Sequence, residues 1–160
     1  MGAVYLATDH ALDRSVALKV IGVNGAADPG LRERFLREAR AQARLNHPNV
    51  CHIYYVGEQD GELYFAMEYI EGESLQQLLD REGKLAPERA IEYCRQAALG
   101  LREAERHGFT HRDIKPSNLM LDRNGVVKVV DFGLVKRATE SGAIDVTQQG
   151  GAPRERRRSI

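Results

Sequence analysis

The chain has 160 residues with 23 basic and 23 acidic side chains, a length suited to one ordinary domain with a sizeable core. This balance removes any global electrostatic case for nucleic acid or an anionic membrane as partner. Cys51 and Cys94 are too few for a disulfide framework and lack metal-ligand spacing, and no apolar run approaches the ~18 residues of a membrane span. Polar Asp9 and His10 follow a short apolar start, and Leu6 stands where a myristoylation motif needs Ser or Thr. The expectation is a soluble cytoplasmic protein.

Residues 4–8 and 16–21 are β-rich runs joined by a polar turn at 9–14, which predicts an antiparallel pair. Side chains alternate along a strand, so Ala17, Lys19 and Ile21 share one face and Val16, Leu18 and Val20 the other. A lysine beside a small alanine suits a cleft, since alanine leaves room for a flat ring and lysine reaches a phosphate. Taken alone, a strand lysine is by default merely solvated. Residues 22–30, with three glycines and Pro29, read as a loop. From 31 to about 44 the period turns helical: Leu31, Phe35, Glu38 and Gln42 form an inward stripe, and Glu33, Arg37, Arg40 and Arg44 line another face. A carboxylate on the inward stripe is costly unless paired, and Lys19 is the natural partner for Glu38. The competing reading of Glu38 is a surface residue bonded to an arginine one turn away.

The segment 45–50, with Pro48, ends that helix, because the residue before proline avoids the α region. Strands follow at 53–57 and 63–70, separated by Asp60-Gly61. His47 and His52 have no companions that would make a metal site. Ser74 and Gln77 form a capping box opening a short helix that Gly83 ends. Pro87 opens a longer helix running to Gly108, with Ile91, Cys94, Ala98, Leu101 and Glu105 recurring at helical spacing. Both helices read as scaffold, and Cys94 as core.

The most informative stretch runs from 109 to 133. His111-Arg112-Asp113-Ile114-Lys115-Pro116-Ser117-Asn118 precedes Leu119-Met120-Leu121, the turn Asp122-Arg123-Asn124-Gly125, an apolar run at 126–130, and Asp131-Phe132-Gly133. Asn-Gly between apolar runs predicts a two-residue hairpin loop with φ > 0 at both positions. That loop sets Leu121 opposite Lys128, Met120 opposite Val129, and Asn118 opposite Asp131. An amide oxygen and a carboxylate at one strand end are hard ligands of the kind Mg²⁺ takes. Asp113, a candidate base, and Lys115, a cation, converge on the same end. That equipment suits phosphoryl transfer.

These motifs resemble the catalytic and metal-binding loops of eukaryotic-type protein kinases, H-R-D-x-K-x-x-N followed by D-F-G. Lys115 resembles the serine/threonine branch, of the bacterial signalling style. Val16-Ala17-Leu18-Lys19 resembles the kinase V-A-I-K signature, and Lys19 with Glu38 the family's lysine–glutamate pair. The resemblance implies an α+β, two-lobed kinase fold and ATP with Mg²⁺ as cofactors. It implies Asp113 as the group that accepts or orients the substrate hydroxyl proton, Lys115 at the γ-phosphate, Asn118 and Asp131 as metal ligands, and Lys19 at the α- and β-phosphates. Gly2, Val4 and Ala17 would meet the nucleotide, with Met67 at the gatekeeper position. The backbone of Glu68 and Ile70 would bond adenine, and Met120 would complete the nucleotide contacts. Arg112 implies regulation through an activation-loop phosphate, with Thr139, Ser141 and Thr147 as candidate acceptors. Gln42 departs from the family, which mostly carries an apolar or small residue there.

By the same resemblance, the expected organisation is a partial small lobe at 1–70, a partial large lobe at 71–149 and an aberrant basic tail at 150–160. The fold is expected to be incomplete at both ends. Met1-Gly2-Ala3-Val4 resembles the end of a glycine-rich loop, and the expected A-P-E continuation is replaced after Gln149, as a frameshift or early stop would do. The partners implied are nucleotide and a serine- or threonine-bearing protein, with neither nucleic acid nor a membrane segment. Two rivals stand beside this reading: a catalytically incompetent fragment that binds nucleotide weakly or acts only as an interaction module, and a small-molecule phosphotransferase.

Overall fold

The structure, a computed structural model, describes residues 3–21, 29–59 and 61–132. Ala3–Asp9 (β1) and Arg14–Ile21 (β2) pair antiparallel with Val4 opposite Lys19 and Leu6 opposite Ala17. Pro29–Gln42 forms a helix (α1), and Ile53–Gln59 (β3) and Glu62–Glu68 (β4) complete a sheet of order β1-β2-β4-β3. The alternation read along β2 holds. Val16 and Leu18 are buried with Ala7 and Ala66 on one face, with Tyr5, Val20, Tyr54 and Tyr64 around them. On the other face Ala39 of α1 packs against Ile53, Leu63 and Phe65.

Helix α1 begins two residues before the expected start, because proline is preset for a first helical turn, where its missing N–H is not needed. Gln42 is buried as the inward stripe predicts, and its Oε1 has no hydrogen-bond partner. Glu33, Arg37, Arg40 and Arg44 are exposed, also as predicted. Strand β4 stops at Glu68, two residues short of the predicted end.

The described residues fall into two units, one containing the four-stranded sheet and α1, the other residues 45–52 with 70–132. The second unit holds Gly72–Ser74 (β5), Leu75–Glu82 (α2), Pro87–Arg106 (α3), Leu119–Asp122 (β6) and Val127–Val129 (β7), with sheet order β5-β6-β7. The capping box is formed: Gln77 N donates to Ser74 Oγ at 3.2 Å and Ser74 N donates to Gln77 Oε1 at 2.8 Å. Gly83, at φ +77°, ends α2. Leu45, Val50, Leu78, Ala97, Ala104, Val127 and Val129 form most of a single core.

Helix α3 corrects the sequence reading. Its buried stripe is Ala97, Gly100 and Ala104 with Tyr93 and Leu101 partly covered, whereas Ile91 is 69% exposed and Cys94 is exposed. Small residues line the seam because backbone approaches closely there: a Cβ on Gly100 would lie 2.3 Å from Asn49 O. Side-chain size pointed to the wrong face. On the outer face, the Arg95 guanidinium donates to both oxygens of Glu92 at 2.7 Å and, helped by Gln96, holds that carboxyl down to about 2.

Candidate active site

The hairpin between β6 and β7 forms where predicted but in a different register. Leu119 faces Val129, Met120 faces Lys128 and Leu121 faces Val127, one residue away from the expected pairing. The cause is Asp122, whose Oδ1 accepts from Asn124 N and Val126 N, each at 2.8 Å. Gly125 N donates to Asp122 O at 3.1 Å, so the turn starts at Asp122 and the loop has three residues. Of the two loop positions expected at positive φ, only Gly125 (φ +78°) has it. This is the type I turn followed by a left-handed glycine that three-residue hairpins use.

The shift puts Val130, not Asp131, level with Asn118. Val130 N donates to Asn118 O at 3.0 Å, and Val130 O takes a hydrogen bond from His111 Nε2 at 2.8 Å. Because Asp113 N donates to His111 Nδ1 at 3.3 Å, the imidazole is the neutral Nε2–H tautomer. His111 is 3% exposed and its ring lies 4.9 Å from that of Phe132. One residue past Val130 the backbone turns left-handed at Asp131 (φ +60°), which redirects its side chain out of the strand alternation. Arg112, at φ +63°, makes the corresponding kink before Asp113. Each such non-glycine residue costs roughly 1–2 kcal/mol, which the surrounding hydrogen bonds must offset.

Between those kinks a tight turn closes the loop, Asn118 N donating to Lys115 O at 2.9 Å. Lys115 Nζ lies 3.1 Å from Asp113 Oδ2. The buried Asn118 amide donates from Nδ2 to Asp113 O at 2.8 Å and, more weakly, to Asp113 Oδ2 at 3.4 Å. With its nitrogen committed in that direction, Asn118 turns Oδ1 away from Asp113 as an oxygen donor. An amide oxygen so oriented and the carboxylate of Asp131 are hard oxygen donors of the kind Mg²⁺ takes. Asp113, Lys115 and Asn118 are thus joined by direct contacts, and Asp131 follows from a residue bonded to two members of the same loop.

Strand β7 is fixed from its other side as well. Its outward groups are all satisfied: Val127 N donates to Gln96 Oε1 at 2.7 Å, Val127 O accepts from Asn49 Nδ2 at 2.8 Å, Val129 N donates to Asn49 O at 2.9 Å and Val129 O accepts from Cys51 N at 3.0 Å. Gln96 Nε2 adds bonds to Glu92 Oε1 at 2.9 Å and Gly125 O at 3.3 Å. Sequence reading missed Gln96 and Asn49. Their partners lie 31 and 78 positions away, so no local signal marks them.

In the first unit, Val4, Leu6, Ala17, Lys19 and Met67 share the sheet face opposite the Val16–Leu18 cluster, since Val4 pairs with Lys19, and Ala17 with both Leu6 and Met67. Val4 and Leu6 are 39% and 40% exposed, while Ala17 is buried. Lys19 Nζ lies 5.9 Å above the Phe65 ring. Glu68 ends β4, Ile70 belongs to the second unit, and Met120 sits half-buried on β6 opposite Ser74. Glu38 lies on α1, but its side chain is outside the described residues, as are Gly2, Gly133, Thr139, Ser141, Thr147 and the basic tail.

A family model described as "Protein kinase domain" matches residues 1–153. Among curated proteins, the chain is similar to the serine/threonine-protein kinase PknB of Mycolicibacterium smegmatis, 42% identical over 146 residues, and to PrkC of Bacillus subtilis, 41% identical over 134 residues. These alignments cover 89% and 84% of this chain but 23% and 21% of the relatives, so the chain spans under a quarter of their length. Among solved structures, a point mutant of the kinase domain of Mycobacterium tuberculosis PknI superposes with a TM-score of 0.72 at 33% identity. That match covers 91% of this chain and 62% of the other.

Proposed function

The chain belongs to the protein kinase family, and on that premise we propose that it transfers the γ-phosphoryl group of ATP to serine or threonine hydroxyls of proteins. The observation that carries this reading is the closed hydrogen-bond circuit of residues 111–131. It joins a carboxylate to an ammonium and to an amide by contacts of 3.4 Å or less and delivers a second carboxylate from the adjoining strand. Phosphoryl transfer needs little covalent help from a protein, and positioning with charge stabilisation does most of the work.

In this reading Asp113 accepts or orients the proton of the attacking hydroxyl. Lys115, 3.1 Å from it, balances its charge and offers positive charge to the transferring phosphate. Asn118 and Asp131 hold Mg²⁺, which when bound neutralises charge on the phosphate oxygens. Lys19 is the residue assigned to the α- and β-phosphates, with Glu38 the partner that the family resemblance implies. Val4, Ala17 and Met67 are the residues of the first unit proposed to meet the nucleotide ring, and Gly2, Met120 and the backbone of Glu68 and Ile70 are the remaining candidates that the family resemblance implies. Among the described residues no helix is long and apolar enough to cross a membrane.

The test is transfer of labelled γ-phosphate from ATP to a generic basic protein, followed by identification of the labelled residues. The expected label is on serine and threonine, and Asp113→Asn lowers the rate by roughly 10²–10⁴-fold, the usual contribution of a positioned acid–base group. Transfer to a sugar or aminoglycoside in place of protein would overturn the assignment, as would nucleotide binding without any transfer.

A further inference from the structure

Six arginines among the described residues are held by acids: Arg14, Arg81, Arg89, Arg95, Arg106 and Arg123 each lie within 3.5 Å of a carboxylate. Arg102 on α3 is exposed and has no such pair among the described residues, and the outward face of α1 gathers three more. Arg37, Arg40 and Arg44 are exposed along one stripe, and among the described residues no ion pair holds any of them. Glu33, Leu36 and Ala41 complete the described lining of a groove of about 480 Å³ along the same face. The inward face of the helix is occupied by packing of Leu36, Ala39 and Ala43 against the sheet, so Leu36 serves both groove and core while the three arginines contribute nothing to that core.

We propose that this stripe docks an acidic segment of a partner protein. The charges span roughly 10 Å at 1.5 Å rise per residue, and an extended chain presents same-side residues every ~7 Å. Two or three alternate carboxylates therefore fall within reach of the guanidiniums, whose planar forks suit bidentate carboxylate pairing. Single-stranded nucleic acid is less well served, because the groove offers Leu36 and Ala41 and no aromatic platform for base stacking. An anionic membrane is less well served too, since an interfacial helix needs a free apolar face and α1 has spent its own on the sheet.

The test is a fluorescence-anisotropy titration of the full 160-residue chain with a labelled poly-glutamate peptide, at low and high salt. Single-stranded DNA and phosphatidylserine vesicles serve as competitors. Saturable binding that salt weakens is expected, with at least about a tenfold loss in the Arg37→Ala, Arg40→Ala, Arg44→Ala triple variant. Arg106→Ala, on the paired face of α3, leaves affinity unchanged. Arg40→Glu is a single reversal that weakens binding even if the triple variant folds poorly, which circular dichroism checks. Absence of binding by the folded chain, equal binding by the stripe variants, or preference for the DNA or the vesicles would overturn the proposal.

Discussion

The two groups of residues proposed to carry the function are held in different ways. In the segment from His111 to Asp131, position is set by hydrogen bonds from His111 to Val130, from Asn118 to Asp113 and from Val130 to Asn118, and by the ion pair of Lys115 with Asp113. On the sheet of the first unit, Val4, Ala17 and Met67 are aligned by strand register, and Val4 and Leu6 there are about 40% exposed. The contrast matches what each region is proposed to do. A proton acceptor and metal ligands must be fixed to within fractions of an ångström, whereas a flat ring needs only an apolar surface of the right shape.

The comparison predicts that damage behind β7 will be costly although it touches no catalytic group. Gly100→Ala is expected to have the largest effect. Its Cβ would sit 2.3 Å from Asn49 O and 3.0 Å from Asn49 C, both backbone, so the loop must move. A net loss of about 1–3 kcal/mol is expected from such overpacking, even though alanine has the better helix propensity. Chemical denaturation measures it as a lower midpoint.

Gln96→Leu comes next. It leaves Val127 N–H without its acceptor in a strand residue that is fully buried, at a cost of about 1–3 kcal/mol. Gln96→Glu keeps the acceptor oxygen but sets a second carboxylate oxygen against Glu92 Oε1 and Gly125 O, where Nε2 now donates, so at neutral pH it is not expected to restore the midpoint in the same denaturation series. An unchanged midpoint in Gln96→Leu would mean that β7 does not depend on its outward partners.

Val4→Ala sharpens the other side of the comparison. Val4 is 39% exposed, so stability should change by no more than about 0.5 kcal/mol, as for most surface substitutions. ATP affinity should nonetheless fall several-fold, because the lost methyl groups belong to the surface assigned to the ring. A large stability loss without an affinity loss would reverse the roles assigned to the two regions.

Much of this arrangement was legible in the sequence, for reasons that can be traced to particular residues. Alternation along 16–21 assigned both faces of β2, and Ser74 with Gln77 announced the start of α2, because those signals are local. The hairpin's existence was equally local, but its register was not. Asp122 competes for the turn through its side chain, and Asn-Gly alone cannot report that. The buried stripe of α3 was misread because Ala97, Gly100 and Ala104 matter for being small. The hold of Asn49 and Gln96 on β7 was invisible, since it joins residues separated by 78 and 31 positions. Within the site, Asp113, Lys115 and Asn118 were brought together as expected, while Asp131 arrives by a backbone turn at φ +60° and not by strand pairing.

The most direct measurement of the central claim is calorimetric titration of the chain with ATP, with and without Mg²⁺, for the native sequence and Asp131→Ala. The account predicts saturable binding that requires Mg²⁺ in the native chain and is abolished in the variant, with no change in fold by circular dichroism. Binding that ignores Mg²⁺, or that survives Asp131→Ala undiminished, would contradict the assignment of Asn118 and Asp131 as the metal-holding pair and with it the phosphoryl-transfer site.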